Sequence, residues 1–185
     1  MTLEKISLSE LFLLQNKQFE EYHNVLKHLV PKPIKAKKEI ESLTDLTFGE
    51  VTLIKMNLKE PSLNSMVEIF KTIFGLSQKD IFKISVIDFY HALNWIKEEI
   101  QTIYNRELDN LSSSPDPKLK EAGIDALNVF GEMNTLIMLG EKFGQPPQDI
   151  ENWSYNLVFS LMLHQKITAD VNKNLIEINK VKNDD

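Results

Sequence analysis

The sequence predicts an all-α protein, an irregular multi-helix bundle preceded by an N-terminal helical arm. Three observations carry that expectation. Apolar residues recur at three- and four-residue spacing through most of the chain, the period of an amphipathic helix. Ser or Thr followed three residues later by Glu or Asp opens segment after segment, and Gly or Pro closes them. Only residues 51–55 offer a run that a strand could use.

The first helix starts at Ser7, whose hydroxyl and the Glu10 carboxylate form a capping box. Leu8, Leu11, Phe12, Gln15, Phe19, Tyr22, Leu26 and Leu29 then mark one wide, mostly apolar stripe on a helix of about six turns. Pro31 and Pro33 end it, because a residue before proline resists the helical region. Residues 31–39 hold these prolines together with Lys32, Lys35, Lys37 and Lys38, and read as a linker. Residues 1–39 are therefore expected to form an arm and linker, and residues 40–185 a helical body.

Within the body, Thr47 and Glu50 form a second capping-box pattern ahead of Val51, Leu53 and Ile54. Pro61-Ser62 begins a helix with Met66, Val67, Ile69, Phe70, Ile73 and Phe74 inward, stopped by Gly75. Ser77 and Asp80 cap a short turn bearing Ile81 and Phe82. Ser85 and Asp88 open a long helix to about Leu111, with Val86, Phe89, Tyr90, Leu93, Ile96, Ile100, Ile103 and Tyr104 on one stripe. The Ser112-Ser113-Ser114-Pro115-Asp116-Pro117 sequence is a loop. A further helix is expected from Pro117 to Phe143. Its interior Gly123 and Gly131 each cost roughly 1 kcal/mol relative to alanine, so they imply close backbone packing or a break after Gly123. Phe143-Gly144, Pro146-Pro147 and Trp153-Ser154 then form a helical corner, with Phe130, Phe143, Ile150, Trp153 and Phe159 as its packing residues. The last helix fades into a polar tail from about Asn179.

Composition narrows the function classes. The chain has 185 residues, 42% of them hydrophobic and 26% charged, as in an ordinary globular domain. It contains no cysteine, which excludes disulfides, thiolate nucleophiles and Cys-ligated zinc. A formal charge of −6 argues against a surface built as a nucleic-acid platform. Acidic residues near the start, with no small-residue cleavage site, do not fit a signal peptide. The densest apolar run, residues 157–163, is far short of the roughly 20 residues a bilayer span requires. A soluble intracellular protein without membrane contact is the expectation.

Candidate chemistry is sparse. His23, His28, His91 and His164 lack the spacing and acidic partners of a metal-binding helix. The Glu20-Glu21, Glu98-Glu99 and Asp184-Asp185 pairs read as solvated charges rather than an acid/base couple. No nucleophile elbow, dinucleotide fingerprint or Walker loop is present. No catalytic, cofactor-binding or metal-binding residue is assigned, and an enzyme is not expected. Two features remain. Leu8, Leu11, Phe12, Phe19, Tyr22 and Leu26 are candidate partner-binding residues, because a tethered amphipathic helix can fold back or enter another protein's groove. Lys32, Lys35, Lys37 and Lys38 are candidate electrostatic contacts. With one arginine in the chain, Arg106, nucleic-acid contact through these lysines is expected to be weak and unspecific.

Two stretches extend the reading. The first is Leu46-Thr47-Phe48-Gly49-Glu50-Val51. The second runs from Gly131-Glu132 through Lys142-Phe143-Gly144, Pro146-Pro147, Ile150 and Trp153 to Leu163. Both resemble small helical proteins of tailed bacteriophages, the tail assembly chaperone type and related products of crAss-like phages. The resemblance covers about a quarter of the chain and does not reach the arm or the basic linker. It implies a non-enzymatic assembly role: a tail assembly chaperone, or a packaged cargo or structural protein of the virion. Phage structural or tail proteins are the partners implied; a second copy of the chain is the further partner that the stripe of the N-terminal helix allows, by exchange between copies. The location implied is the host cytoplasm during assembly, and the virion for a packaged protein. The other reading of the residues is a regulatory helical protein touching nucleic acid through residues 32–38.

Overall fold

The computed structural model describes residues 6–36, 38–112 and 117–181. Lys37, the loop positions Ser113, Ser114, Pro115 and Asp116, and the Asp184-Asp185 pair lie outside these. The fold is all-α. Among the described residues the only β-type pairings are two isolated bridges, Ser7 with Ser85 and Thr47 with Ser154. Residues 51–55, the one strand-like run, lie inside a helix. Contacts divide the chain into two compact units: Met1–Leu46 with Glu50–Tyr104, and Thr47–Gly49 with Asn105–Asp185.

The first unit contains α1 (Leu8–Leu11), α2 (Asn16–Leu26), a 3-10 turn (Leu43–Asp45), most of α3 (Phe48–Lys59), α4 (Leu63–Phe74), α5 (Gln78–Lys83) and the first part of α6 (Val86–Leu111). Its centre is aromatic. Phe70 stacks on Phe89 with ring centroids 4.9 Å apart, and Phe74 meets Phe70 at 5.5 Å and Trp95 at 6.1 Å. Gly75, at φ 66°, ends α4 in the left-handed conformation, where a side chain would be strained.

The expected single helix from Leu8 to Leu29 is instead α1 and α2, interrupted between Phe12 and Gln15. The Ser7 capping box does form, with the Ser7 amide donating to Glu10 Oε2 at 2.7 Å. Long-range anchors then override the local period. At one end, the Leu8 amide donates to Ile84 O at 3.0 Å and the Val86 amide to Ile6 O at 2.9 Å. At the other, Asn94 Nδ2 donates to Leu29 O at 2.7 Å, His91 Nδ1 pairs with Val30 O, and the Lys32 amide donates to His91 O at 3.2 Å. The break turns Leu13 outward while Leu8, Leu11 and Leu26 are buried.

The division into an arm of residues 1–39 and a body of 40–185 is therefore not the one the packing makes. The N-terminal segment folds back and fills the first unit's core, where each buried leucine contributes roughly 1.5–3 kcal/mol. Glu99, grouped in the sequence with solvated charges, accepts from Ser42 Oγ at 2.7 Å and from the Leu43 amide at 3.0 Å. It ties the 3-10 turn to α6.

The second unit contains α7 (Pro117–Glu121), a 3-10 segment (Ile124–Phe130), α8 (Met133–Phe143), α9 (Pro147–Glu151) and α10 (Tyr155–Val181). The helix expected from Pro117 to Phe143 breaks at both interior glycines. Gly123 takes φ 86° and Gly131 takes φ 50° with ψ −128°. Neither would meet a neighbour with an added Cβ, so both serve conformation, not close packing. The close approach is at Gly140, where a Cβ would lie 2.7 Å from Gln145 O. The chain doubles back there, and the Gln145 amide donates to Gly140 O at 3.0 Å.

The corner itself forms. Phe143 and Trp153 meet edge-on at 5.5 Å, and Ile150 and Phe159 are buried. Phe130 is the exception: at 54% exposed it lies outside the packing, because the break at Gly131 separates it from α8.

Candidate functional site

An open apolar cavity of about 560 Å³ lies in the first unit. α1 and α2 form one wall through Leu8, Leu11, Phe12 and Phe19. Leu58 of α3, with Pro61, Leu63, Met66 and Val67, forms the opposite wall, and Ile81 of α5 with Phe89, Tyr90 and Leu93 of α6 adds further apolar lining. Leu8 and Leu11 are buried, whereas Phe12 and Leu63 remain 47% and 44% exposed at the edge. An accessible apolar recess of this size is the usual form of a small-ligand or side-chain binding site.

Polar groups in the recess are few, and His23 and Tyr90 are engaged with each other. His23 Nδ1 pairs with Tyr90 Oη at 2.8 Å. The His23 ring stacks on Phe19, which in turn stacks on Phe12, with centroids 6.1 and 6.3 Å apart. Burial pushes the Tyr90 phenol above its ordinary pKa, so it stays neutral and can donate. Ser62 and Lys97 complete the polar lining. This arrangement favours burial of an apolar group, with one hydrogen-bonded pair to orient it.

The sequence-predicted residues separate into three sets. Leu8, Leu11, Phe12 and Phe19 line the cavity, as half of a wall rather than as a free stripe. Leu26 is buried within the unit, and Tyr22 is half-buried outside the cavity lining. Among the described residues the lysines differ in their surroundings. Lys32 and Lys35 are exposed, while Lys38 reaches Glu50 at 3.6 Å and Thr72 O at 3.5 Å. The opposite wall does not follow from the sequence, in which Met66 and Val67 read as ordinary core positions. The available signal was the width of that stripe: Leu63, Met66 and Val67 extend it beyond Ile69, Phe70, Ile73 and Phe74.

Within the second unit, Thr47–Gly49 of the first resemblance stretch meets the second stretch. The Phe48 amide donates to Trp153 O at 2.8 Å, and Thr47 bridges Ser154. Gly49 lies against Glu151 so closely that a Cβ would be 3.2 Å from its Cβ and carbonyl oxygen. Beside this contact Tyr155 is buried and donates to Glu107 Oε1 at 2.9 Å, while Arg106 lies over the Phe159 ring at 3.9 Å. Burial, reinforced by the Glu107 carboxylate, raises the Tyr155 phenol far above its ordinary pKa. The hydroxyl is held as a neutral donor. Among the described residues, no group of three or more His, Asp or Glu could hold a metal ion, and no helix is long and apolar enough to cross a membrane.

No family model, curated protein or solved structure matches the chain.

Proposed function

We propose that the protein acts in tailed-phage morphogenesis through protein–protein contact, as a tail assembly chaperone or a virion-associated cargo or structural protein. The apolar cavity of the first unit carries the mechanism. A partner inserts one or two large apolar side chains from a helix between Phe12 and Phe19 on one side and Leu63 and Met66 on the other. Desolvation drives the contact, and the His23–Tyr90 pair gives it an orientation. The assembly reading is supported by the resemblance of residues 46–51 and 131–163, whose contact pairs Thr47 and Phe48 with Ser154 and Trp153.

Affinity capture of the full chain from phage-infected cells tests the proposal, comparing the wild type with a Phe12→Glu/Leu63→Glu variant. Both side chains are about half exposed, so their replacement leaves the interior intact. The expected result is a tail or virion protein, identified by mass spectrometry, that the variant loses. Equal capture by both forms would remove the cavity from the mechanism. Capture of no phage protein would remove the assembly reading.

A further inference from the structure

The distal half of α10 carries an apolar seam that its own unit does not cover. We infer that this seam pairs in parallel with the same segment of a second copy, forming a short two-stranded coiled coil. The inference stands on α10 alone and does not depend on the phage reading.

The spacing supplies the first argument. Leu161, His164, Thr168, Val171, Leu175 and Ile178 follow one another at intervals of three, four, three, four and three residues. That is the a/d repeat of a left-handed coiled coil. The last five of these are exposed. Val171, Leu175 and Ile178 remain 57%, 54% and 54% exposed, on a stretch that would otherwise be an unsupported helix of marginal length.

The flanks indicate the occupant. Positions beside the seam are uncharged: Gln165, Asn172 and Asn179 on one side, Ile167 and Asn174 on the other. Two identical helices can approach there without like-charge repulsion. The charges lie on the far face, where Lys166 pairs with Asp170 at 2.8 Å within one helix. A partner of opposite charge would find nothing beside the seam to recognise, whereas a second copy finds a neutral, self-complementary surface. Ile176 lies off the seam and has no part in this contact.

The polar seam residues set the orientation. In parallel pairing His164 faces His164 and Thr168 faces Thr168, so polar layers meet polar and aliphatic layers meet aliphatic. Antiparallel pairing centred on Thr168 would place His164 against Val171. The Thr168 hydroxyl already donates to His164 O at 2.8 Å, so pairing buries its methyl group without stranding the hydroxyl. So short a seam falls below about 1,200 Å² of buried surface, the range of weak and reversible contacts.

Sedimentation equilibrium of the full chain tests the inference. A dimer is expected to be populated on the order of 100 µM, the range of a weak contact. A Val171→Glu/Leu175→Glu variant should remain monomeric, with the thermal melting of the dilute protein unchanged. Because the chain has no cysteine, single cysteines report the register. Leu175→Cys should oxidise to a covalent dimer, and Lys173→Cys, on the far face, should not. A wild type monomeric at that concentration would overturn the inference. So would a dimer that survives the double substitution, or equal cross-linking of the two cysteine variants.

Discussion

α6 and α10 are nearly equal in length, 26 and 27 residues, and differ in what covers them. α6 buries Val86, Phe89, Tyr90, Ala92, Trp95, Ile96, Ile100 and Ile103, a face that runs through its first 18 residues. α10 buries Tyr155, Val158 and Phe159 at its start, yet Ile167, Val171, Leu175 and Ile178 remain more than half exposed. Helical periodicity thus records that an apolar face exists. Whether the chain supplies the element that covers it is a separate, tertiary property. A covered face contributes to stability, and an uncovered one is available for association.

The largest expected difference between the two helices is in core substitution. Ile96 of α6 is fully buried, and Ile96→Ala should destabilise the protein by about 2–5 kcal/mol, the transfer term plus the cavity left behind. Urea titration followed by far-ultraviolet circular dichroism measures it. A cost below about 1 kcal/mol would mean that α6 is far less embedded than its burial indicates.

Much of this division can be read from residue order, and its failures are informative. The α4 and α6 stripes, the Gly75 stop and the Phe143–Trp153 corner follow from local period and turn chemistry, and each is present in the fold. The N-terminal helix does not follow, because the Leu8–Ile84 and Asn94–Leu29 hydrogen bonds join segments 76 and 65 residues apart. Local period carries no information about such contacts. Gly123 and Gly131 follow only in part, since sequence shows an unfavourable residue in a helix but not whether close packing or a turn explains it. Half of the cavity was legible for the same reason. Leu8, Leu11, Phe12 and Phe19 stood out as a stripe, whereas the opposing wall depends on where the fold places α4.

A smaller effect is expected at the start of α10, where that helix is covered. Tyr155→Phe removes the hydrogen bond to Glu107 and should cost about 1 kcal/mol at neutral pH. Its pH dependence distinguishes it further. The folded phenols of Tyr155 and Tyr90 are held above their ordinary pKa by burial. In the unfolded chain tyrosine ionises near pH 10, at about its ordinary value. Above that pH the unfolded state binds fewer protons than the folded one, so stability is full below about pH 10 and falls as pH rises. Tyr155→Phe should shallow this alkaline decline without abolishing it, because Tyr90 remains. An unchanged decline would mean that the Tyr155 hydroxyl is not sequestered.

The smallest effect is expected at Leu175→Ala, and it bears most directly on the contrast between the helices. In the dilute monomer Leu175 is 54% exposed, and alanine has the higher helix propensity. The two terms nearly offset, leaving a change within about 0.5 kcal/mol. The same substitution made at Ile100, 4% exposed on α6, should cost several-fold more. If unfolding of dilute protein instead showed a loss at Leu175 comparable to that at Ile100, the distal half of α10 would be covered within its own chain. The distinction between a face used for folding and a face kept for association would then fail at its clearest position.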